Sequence, residues 1–133
     1  AHNCAMAHET EGKELDAAIV LRGVQGLLAR PDHGFYLVAE NDGVVVGSLM
    51  VTPEWSDWRD GFFWWVQSVY VAPEQRRTGI YRSLYEEVRT AAREAADVKG
   101  LRLYVERTNR PARAVYAHMG MDETSYRLYE ELL

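Results

Sequence analysis

Apolar positions recur at two different periods along the chain, and the alternation between them predicts the order of elements. Residues 3 to 11 have Cys4, Met6 and Ala7 as apolar positions and read as a short helix. Residues 14 to 30 carry Leu15, Ile19, Val24, Leu27 and Leu28 near helical spacing, and Pro31 marks the stop. A hairpin follows. Phe35 to Ala39 is strand-like, Asn41-Asp42-Gly43 is a strong turn signal, and Val44 to Val51 is the return strand. Gly47 inside that strand predicts a bulge or a close approach of another element. Pro53 to Gly61 reads as a loop rich in Trp and acid, and Phe62 to Val71 as a long aromatic and β-branched strand that Pro73 ends. Residues 79 to 96 make the best helix, with Ile80, Leu84, Val88, Ala91, Ala92 and Ala95 on one face. Leu101, Leu103 and Val105 alternate with polar-tipped residues and predict a strand over 101–105. Pro111 suits the first turn of a helix over 111–119, and Gly120 suits its stop. Ser125 to Leu133 reads as a last strand. With residues 14 to 30 as the leading helix, the predicted order is α-β-β-β-α-β-α-β, a mixed sheet with antiparallel pairing early, a βαβ crossover late, and helices covering both faces.

The chain has 133 residues, which fits a single domain over 1–133. At 47% hydrophobic it is an ordinary globular composition, and its net charge of −5 argues against a nucleic-acid or anionic-membrane partner. The one cysteine, Cys4, allows no internal disulfide, so a reducing compartment and a cytoplasmic location are the default. No apolar run approaches the roughly 20 residues that span a membrane, and Ala1-His2-Asn3-Cys4 has neither the basic nor the apolar region of a signal peptide. His2, His8, His33 and His118 show no ligand spacing, so no metal site is expected.

The chemistry concentrates after the long strand, in Val69-Tyr70-Val71-Ala72-Pro73-Glu74-Gln75-Arg76-Arg77-Thr78-Gly79-Ile80-Tyr81. A strand runs into a short basic turn and a long helix begins at once. A helix N-terminus presents amide N–H groups and partial positive charge, and turn amides can cradle a phosphate. On residues alone two readings stand: a pyrophosphate cradle, or a solvated helix start with Thr78 as its N-cap. The segment is neither a G-x-G-x-x-G fingerprint nor a P-loop.

Beyond the next strand, Ala112, Tyr116 and Gly120 stand 3, 7 and 11 residues after Asn109. The two constellations together resemble the signature of the GNAT superfamily of N-acetyltransferases, in which R/Q-x-x-G-x-G/A opens a helix and N-x-x-A-x-x-x-Y and G-F follow. The resemblance covers about 35–121. It implies an α/β fold of that family: a mixed, mostly antiparallel sheet with helices on both faces and a splayed central parallel strand pair. It implies acetyl-CoA as co-substrate and a primary amine, in a small molecule or peptide, as acceptor. No nucleophile constellation argues for a covalent intermediate, since Cys4 is isolated, so direct attack in a ternary complex is expected; the resemblance implies no metal, and homodimers are common in the family.

Residue by residue, the resemblance places the pyrophosphate on Arg76, Arg77, Thr78, Gly79, Ile80 and Tyr81. It places the pantetheine arm and thioester carbonyl on the backbone of Val69 and Val71. Asn109 matches a residue near the cofactor arm, and Tyr116 the general acid that protonates the departing thiolate. Three departures accompany it. Tyr81 stands where the family has Gly or Ala, so its ring must point aside or into the core. Gln67 stands where many relatives carry a carboxylate, and an amide cannot act as a general base. Little sequence precedes Glu14, so the family's first strand is expected to be missing or truncated.

Other residues carry two readings. Glu54, Asp57 and Gln67 are candidate substrate contacts, the two acids also candidate bases, and Trp55 and Trp58 are either cation–π partners of an amine or buried lids. Glu106 is either a base or a surface residue. Tyr104 and Tyr126 read as packing residues, and the neighbours Trp64 and Trp65 face opposite sides of the sheet. The rival functions are a non-catalytic CoA- or acyl-CoA-binding module and an interaction domain of the same fold.

Overall fold

The computed structural model describes all 133 residues, in two compact units, residues 1–103 and 104–133. The first unit contains helices α1 (His2–Glu11) and α2 (Ala17–Leu28) and strands β1 (Phe35–Asn41), β2 (Val44–Ser56) and β3 (Gly61–Val71). Helix α3 (Ile80–Glu94) and strand β4 (Val98–Arg102) complete it. The sheet order is β1-β2-β3-β4, antiparallel except for the β3–β4 pair, which is parallel as a βαβ crossover requires.

The core lies between the sheet and α3. Leu49, Val51, Val66, Leu84 and Val88 form its buried centre, and Leu37, Trp64 and Leu101 pack around them. Leu84, Tyr85, Val88 and Ala92 are the buried residues of α3, so the apolar face read from the sequence is the face that docks. Gly47 is where α3 comes closest to the sheet. A Cβ there would stand 2.9 Å from Ile80 Cγ2 and 3.3 Å from the Tyr70 carbonyl oxygen. The opposite face of the sheet meets α1, whose His2 reaches Ser48 and Tyr70. Helices therefore cover both faces. Asp16 caps α2 through Ala18 N–H at 2.8 Å and Ile19 N–H at 3.2 Å, and that cap sets its start.

Three elements differ from the sequence-based expectation. The Trp- and acid-rich segment is strand as far as Ser56, and only Asp57 to Asp60 turns. Pro53 is tolerated there because β1 has already ended opposite Val51, so β2 needs no donor on that side. The fourth strand is Val98–Arg102, and Leu103 to Val105 lie beyond it. The Asp97 carbonyl already accepts from Phe62 N–H at 2.8 Å, which starts the parallel ladder earlier than the alternation of Leu101, Leu103 and Val105 suggests. Finally, Ser125 to Leu133 forms no strand, and Tyr126, Leu128, Tyr129, Leu132 and Leu133 are exposed. The element order is thus α-α-β-β-β-α-β-α.

The second unit is organised by helix α4 (Arg110–His118). Its C-terminus is a Schellman motif: Gly120, at φ 88°, donates to the Ala117 carbonyl at 3.0 Å, and Met121 N–H donates to the Tyr116 carbonyl at 3.1 Å.

No helix is long and apolar enough to cross a membrane. Substituting Gly47→Val should drive side-chain atoms into Ile80 and the Tyr70 carbonyl. We expect a loss of about 1–3 kcal/mol, read as a lower urea midpoint with an unchanged m-value.

Candidate functional site

The site in the first unit is built on an irregularity in β3. Ser48 pairs with Tyr70 and Met50 with Gln67, so β3 holds one residue more than β2 over this stretch. Ser68 absorbs the excess at φ 50°, a left-handed conformation that costs a non-glycine residue about 1–2 kcal/mol. The bulge has two consequences. Directly paired residues share a face, so Gln67 and Tyr70 lie on the same face of the sheet although simple alternation would separate them. In addition, the parallel ladder to β4 stops at Trp65 opposite Arg102, and β3 continues without a strand on that side.

The open stretch of β3 contains Val69 and Val71. Ala72 N–H donates to the Val46 carbonyl at 2.8 Å, toward β2. Alternation then turns the backbone groups of Val71, and of Val69 two residues earlier, away from β2 into the gap. Val71 confirms this direction, because its carbonyl accepts from Arg76 Nε at 3.0 Å. These are sheet-edge groups in mid-sheet, the situation that an extended ligand completes by β-augmentation.

The turn leads from this edge to α3. A 3-10 turn, Pro73–Gln75, is followed by Arg77 at φ 63° and by Gly79 at φ 88°. Gly79, not Thr78, is the N-cap residue; the Thr78 hydroxyl instead donates back to the Gln75 carbonyl at 2.5 Å. No side chain caps the helix, and the first amide of the helix bonded within it is Ser83, 2.9 Å from the Gly79 carbonyl. The first turn of α3 is thus an uncapped N-terminus with its partial positive charge at the surface. Beside it lies a cavity of about 400 Å³ lined by Glu40, Asn41, Gln75, Thr78, Gly79 and Ser83, among others.

The side chains of the turn divide by role. Arg76 is engaged: besides the Val71 carbonyl it pairs with Glu9 of α1 and lies over the Tyr70 ring, 6.0 Å from its centroid. An ion pair this exposed contributes about 0–1 kcal/mol, so its chief effect is to fix the turn against β3 and α1. Arg77 and Thr78 are exposed. The Tyr81 ring turns along the helix toward Tyr85, centroids 6.2 Å apart, and its hydroxyl is buried. It points aside, as the sequence required of a bulky residue at that position.

On the opposite face, Gln67 donates its side-chain N–H to the Thr52 hydroxyl at 2.5 Å. Glu54 is clasped: one oxygen accepts from Trp65 Nε1 at 3.1 Å and the other from Arg102 Nη1 at 2.6 Å. Arg102 stacks on Phe63, 3.6 Å from the ring centroid. Glu54 therefore joins β2 to β3 and β4. Asp57 lies in the exposed turn, and Trp58 is 84% exposed, so it is no buried lid. Trp55 makes an edge contact with Phe62, and Trp64 with Phe35 on the core side.

In the second unit, Asn109 Oδ1 accepts from Ala112 N–H at 3.2 Å and caps α4. Tyr116 is a half-buried residue of that helix. Glu106 accepts from the Thr108 hydroxyl and from the Thr108 amide at 2.6 Å, and these bonds hold its carboxyl below the usual carboxylate range. That makes it a weaker base than an ordinary glutamate, contrary to what proton abstraction asks.

Two residues at the site escaped the sequence reading. Ser68 gives no signal, because its residue type does not favour the left-handed region. His2 lies far from the motifs in sequence, and only the fold brings it to Ser48.

A mixed sheet whose parallel pair parts after Trp65, with a backbone edge leading to an uncapped helix N-terminus, defines the class of fold. The GNAT acetyltransferase family model matches residues 5–121, and the chain belongs to that family. A possible acetyltransferase from Clostridium difficile 630 is 42% identical, over 99% of this chain and 87% of that one, with a TM-score of 0.93. Two more distant structures share the fold. AAC(6')-Iy, solved with the bisubstrate analogue CoA-S-monomethyl-acetylneamine, is 18% identical over 99% of this chain and 90% of that one, TM-score 0.76. Glucosamine-6-phosphate N-acetyltransferase from Arabidopsis thaliana is 17% identical over 83% of this chain and 74% of that one, TM-score 0.68. No curated protein matches the chain in sequence.

Replacing Asn109 with Ala removes the α4 cap and should cost about 1 kcal/mol locally. Amide exchange in the first turn of α4 should accelerate severalfold, whereas Asn109→Asp should retain protection.

Proposed function

We propose that the chain is an acetyl-CoA-dependent N-acetyltransferase that passes the acetyl group to a primary amine by direct attack in a ternary complex. The observation that carries this reading is the open β3 edge at Val69 and Val71, which runs straight into the uncapped N-terminus of α3 in a chain of the GNAT family. Each part suits one portion of acetyl-CoA. Edge amides suit the amide-bearing pantetheine arm, and the Val69 N–H is assigned to the thioester oxygen, which gains charge as the amine adds. The turn from Arg76 to Tyr81, with Gly79 at its centre and Arg77 exposed beside it, suits the pyrophosphate. Backbone donors carry most of this binding, so Tyr81 does not prevent it. Arg76 acts by fixing the turn.

Residues of both units enter the reading as one acyltransferase domain over 1–133, since the family model runs through both. Asn109 is assigned to the cofactor arm through the α4 turn that it caps. Tyr116 is assigned the proton for the departing thiolate; a phenol of ordinary pKa about 10 is a competent donor to a thiolate. Gln67 is assigned to orient the amine through its side-chain oxygen, since its amide N–H is held by Thr52. The clasped Glu54 and the exposed Asp57 contribute negative charge on the side of a cationic acceptor. A small-molecule amine is favoured, with amino sugars first among candidates because the distant structural neighbours include enzymes named for aminoglycosides and glucosamine 6-phosphate.

Calorimetric titration with acetyl-CoA should show saturable binding, tighter than for ATP. Gly79→Asp should abolish it. A Cβ at that position meets no atom within 4 Å, so the loss would come from negative charge set where the pyrophosphate belongs and from the strained φ. No binding by a cooperatively melting wild-type chain would leave an interaction domain of the same fold. Binding without thiol release across an amine panel would leave a CoA-binding module.

Tyr116→Phe should lower kcat by about 100-fold while sparing acetyl-CoA affinity. Unchanged turnover would remove Tyr116 from the mechanism.

A further inference from the structure

We propose that His2 is the proton acceptor for the incoming amine and that Ser48 positions it. The inference rests on the acetyltransferase reading above and supplies the base that Gln67 cannot be. His2 opens α1 and is half-buried. Its Nδ1 lies 3.1 Å from the Ser48 hydroxyl, and Ser48 is itself only 8% exposed. The imidazole also stacks on Tyr70, ring centroids 4.6 Å apart at 32°. One contact fixes the ring within its plane and the other fixes its face. At the far end of the same helix Glu9 pairs with Arg76, whose guanidinium lies 6.0 Å from the centroid of the same Tyr70 ring. Helix α1 is thus pinned at both ends to the segment of β3 that carries the open edge. His8, on the same helix, is exposed.

The bulge makes this placement matter. Ser48, Met50, Gln67 and Tyr70 share the face opposite α3, and Tyr70 adjoins Val69, to which the thioester oxygen is assigned. The proposed reaction needs a base on that face, and imidazole is the side chain that most often serves as one. With Nδ1–H donating to the Ser48 hydroxyl oxygen, Nε2 keeps its lone pair.

The step balances without any further reactant. The acceptor arrives as an ammonium ion and gives one proton to His2 Nε2. The neutral nitrogen attacks the thioester carbonyl carbon, an N–C bond forms and the C–S bond breaks. The nitrogen's excess proton ends on the sulfur as free thiol, and His2 returns its own proton to water. The titratable and charged groups beside the imidazole are the Tyr70 phenol on β3 and the Arg76–Glu9 pair beyond it, and Cys4 lies on its own helix. Helix α2, which packs on α1, adds Arg22 and its cap Asp16.

The test compares wild type, His2→Gln, His2→Ala and Ser48→Ala for acetyl-CoA affinity, for kcat and KM with an amine that the wild type acetylates, and for pH dependence. Near-wild-type acetyl-CoA binding by calorimetry shows that the cradle is folded in each variant. We expect His2→Gln to lower kcat about 100-fold or more and to erase an imidazole-range inflection from the kcat/KM profile. Imidazole in the buffer should restore part of the His2→Ala rate, and Ser48→Ala should lower kcat less than His2→Gln does. An unchanged profile in His2→Gln, or His2→Ala turnover indifferent to imidazole, overturns the assignment and leaves the acetyltransferase reading intact. Wild-type binding or turnover failing altogether overturns both.

Discussion

Ile80 and Leu84 rest on the backbone of Gly47, and the geometry of the turn proposed as the ligand cradle follows from that contact. A helix can approach a strand this closely only where the strand lacks a side chain, and Gly47 supplies the gap within a β2 otherwise rich in valine. The approach lowers the start of α3 onto the sheet at the level of Val71, the residue opposite Gly47 in β3. The short turn from Pro73 to Gly79 must then span a small distance. It does so with two left-handed residues, Arg77 and Gly79, and with Arg76 folded back onto the Val71 carbonyl. The buried contacts of Leu84 and Val88 with Leu49, Val51 and Val66 hold the helix there. The N-terminus of α3 is placed by a hydrophobic core several residues away, and the core sets where its partial charge points.

The second constraint is the bulge at Ser68. A regular β3 would keep pairing with β4 and offer no edge. One extra residue bends the strand, and the parallel ladder then ends after Trp65. The unpaired backbone this leaves is a liability in a protein without a ligand, since open edges invite other strands. Arg76 answers part of it by satisfying the Val71 carbonyl. The same extra residue turns Tyr70 onto the face of Gln67, where it forms a floor for His2. A single left-handed serine therefore shapes both the edge proposed for the co-substrate and the face proposed for the acceptor.

These two constraints explain what could be read from the sequence. Helix α3 was legible because its apolar period is strong, and Gly47 announced a close contact because glycine is costly in a strand. The turn motif and the Asn109, Ala112, Tyr116 and Gly120 spacing were legible through the family resemblance, and Gly120 as a stop because that signal is local, whereas the caps at Gly79 and Asn109 were not read. The bulge was not, because it counts residues between two strands and nothing in Gln67-Ser68-Val69 reveals the mismatch. The end of β2 departs from its sequence pattern because Pro53 normally forbids a strand interior, and only the absence of β1 beside it lifts the ban. The tail from Ser125 alternates like a strand, but alternation does not supply a partner. The clasp of Glu54 by Trp65 and Arg102, and the contact of His2 with Ser48, join residues 11, 48 and 46 positions apart in sequence, beyond the range of any local pattern.

Backbone and side-chain parts of such a site carry different tolerances. An N–H group at Val69 or in the first turn of α3 is set by the bulge and by the seating of the helix, so a side chain can change without removing it. That is why Tyr81 in place of a small residue leaves the cradle's donors intact: the ring lies beside Tyr85, along the helix. A proton acceptor has no backbone substitute, because an amide cannot take a proton near neutral pH. In the proposed reaction β3 carries Gln67, so the base is assigned to another element able to reach the same face. Helix α1 meets that condition through Ser48 and Tyr70. An element with no other tie to the motifs is then held at both ends by contacts that converge on one tyrosine.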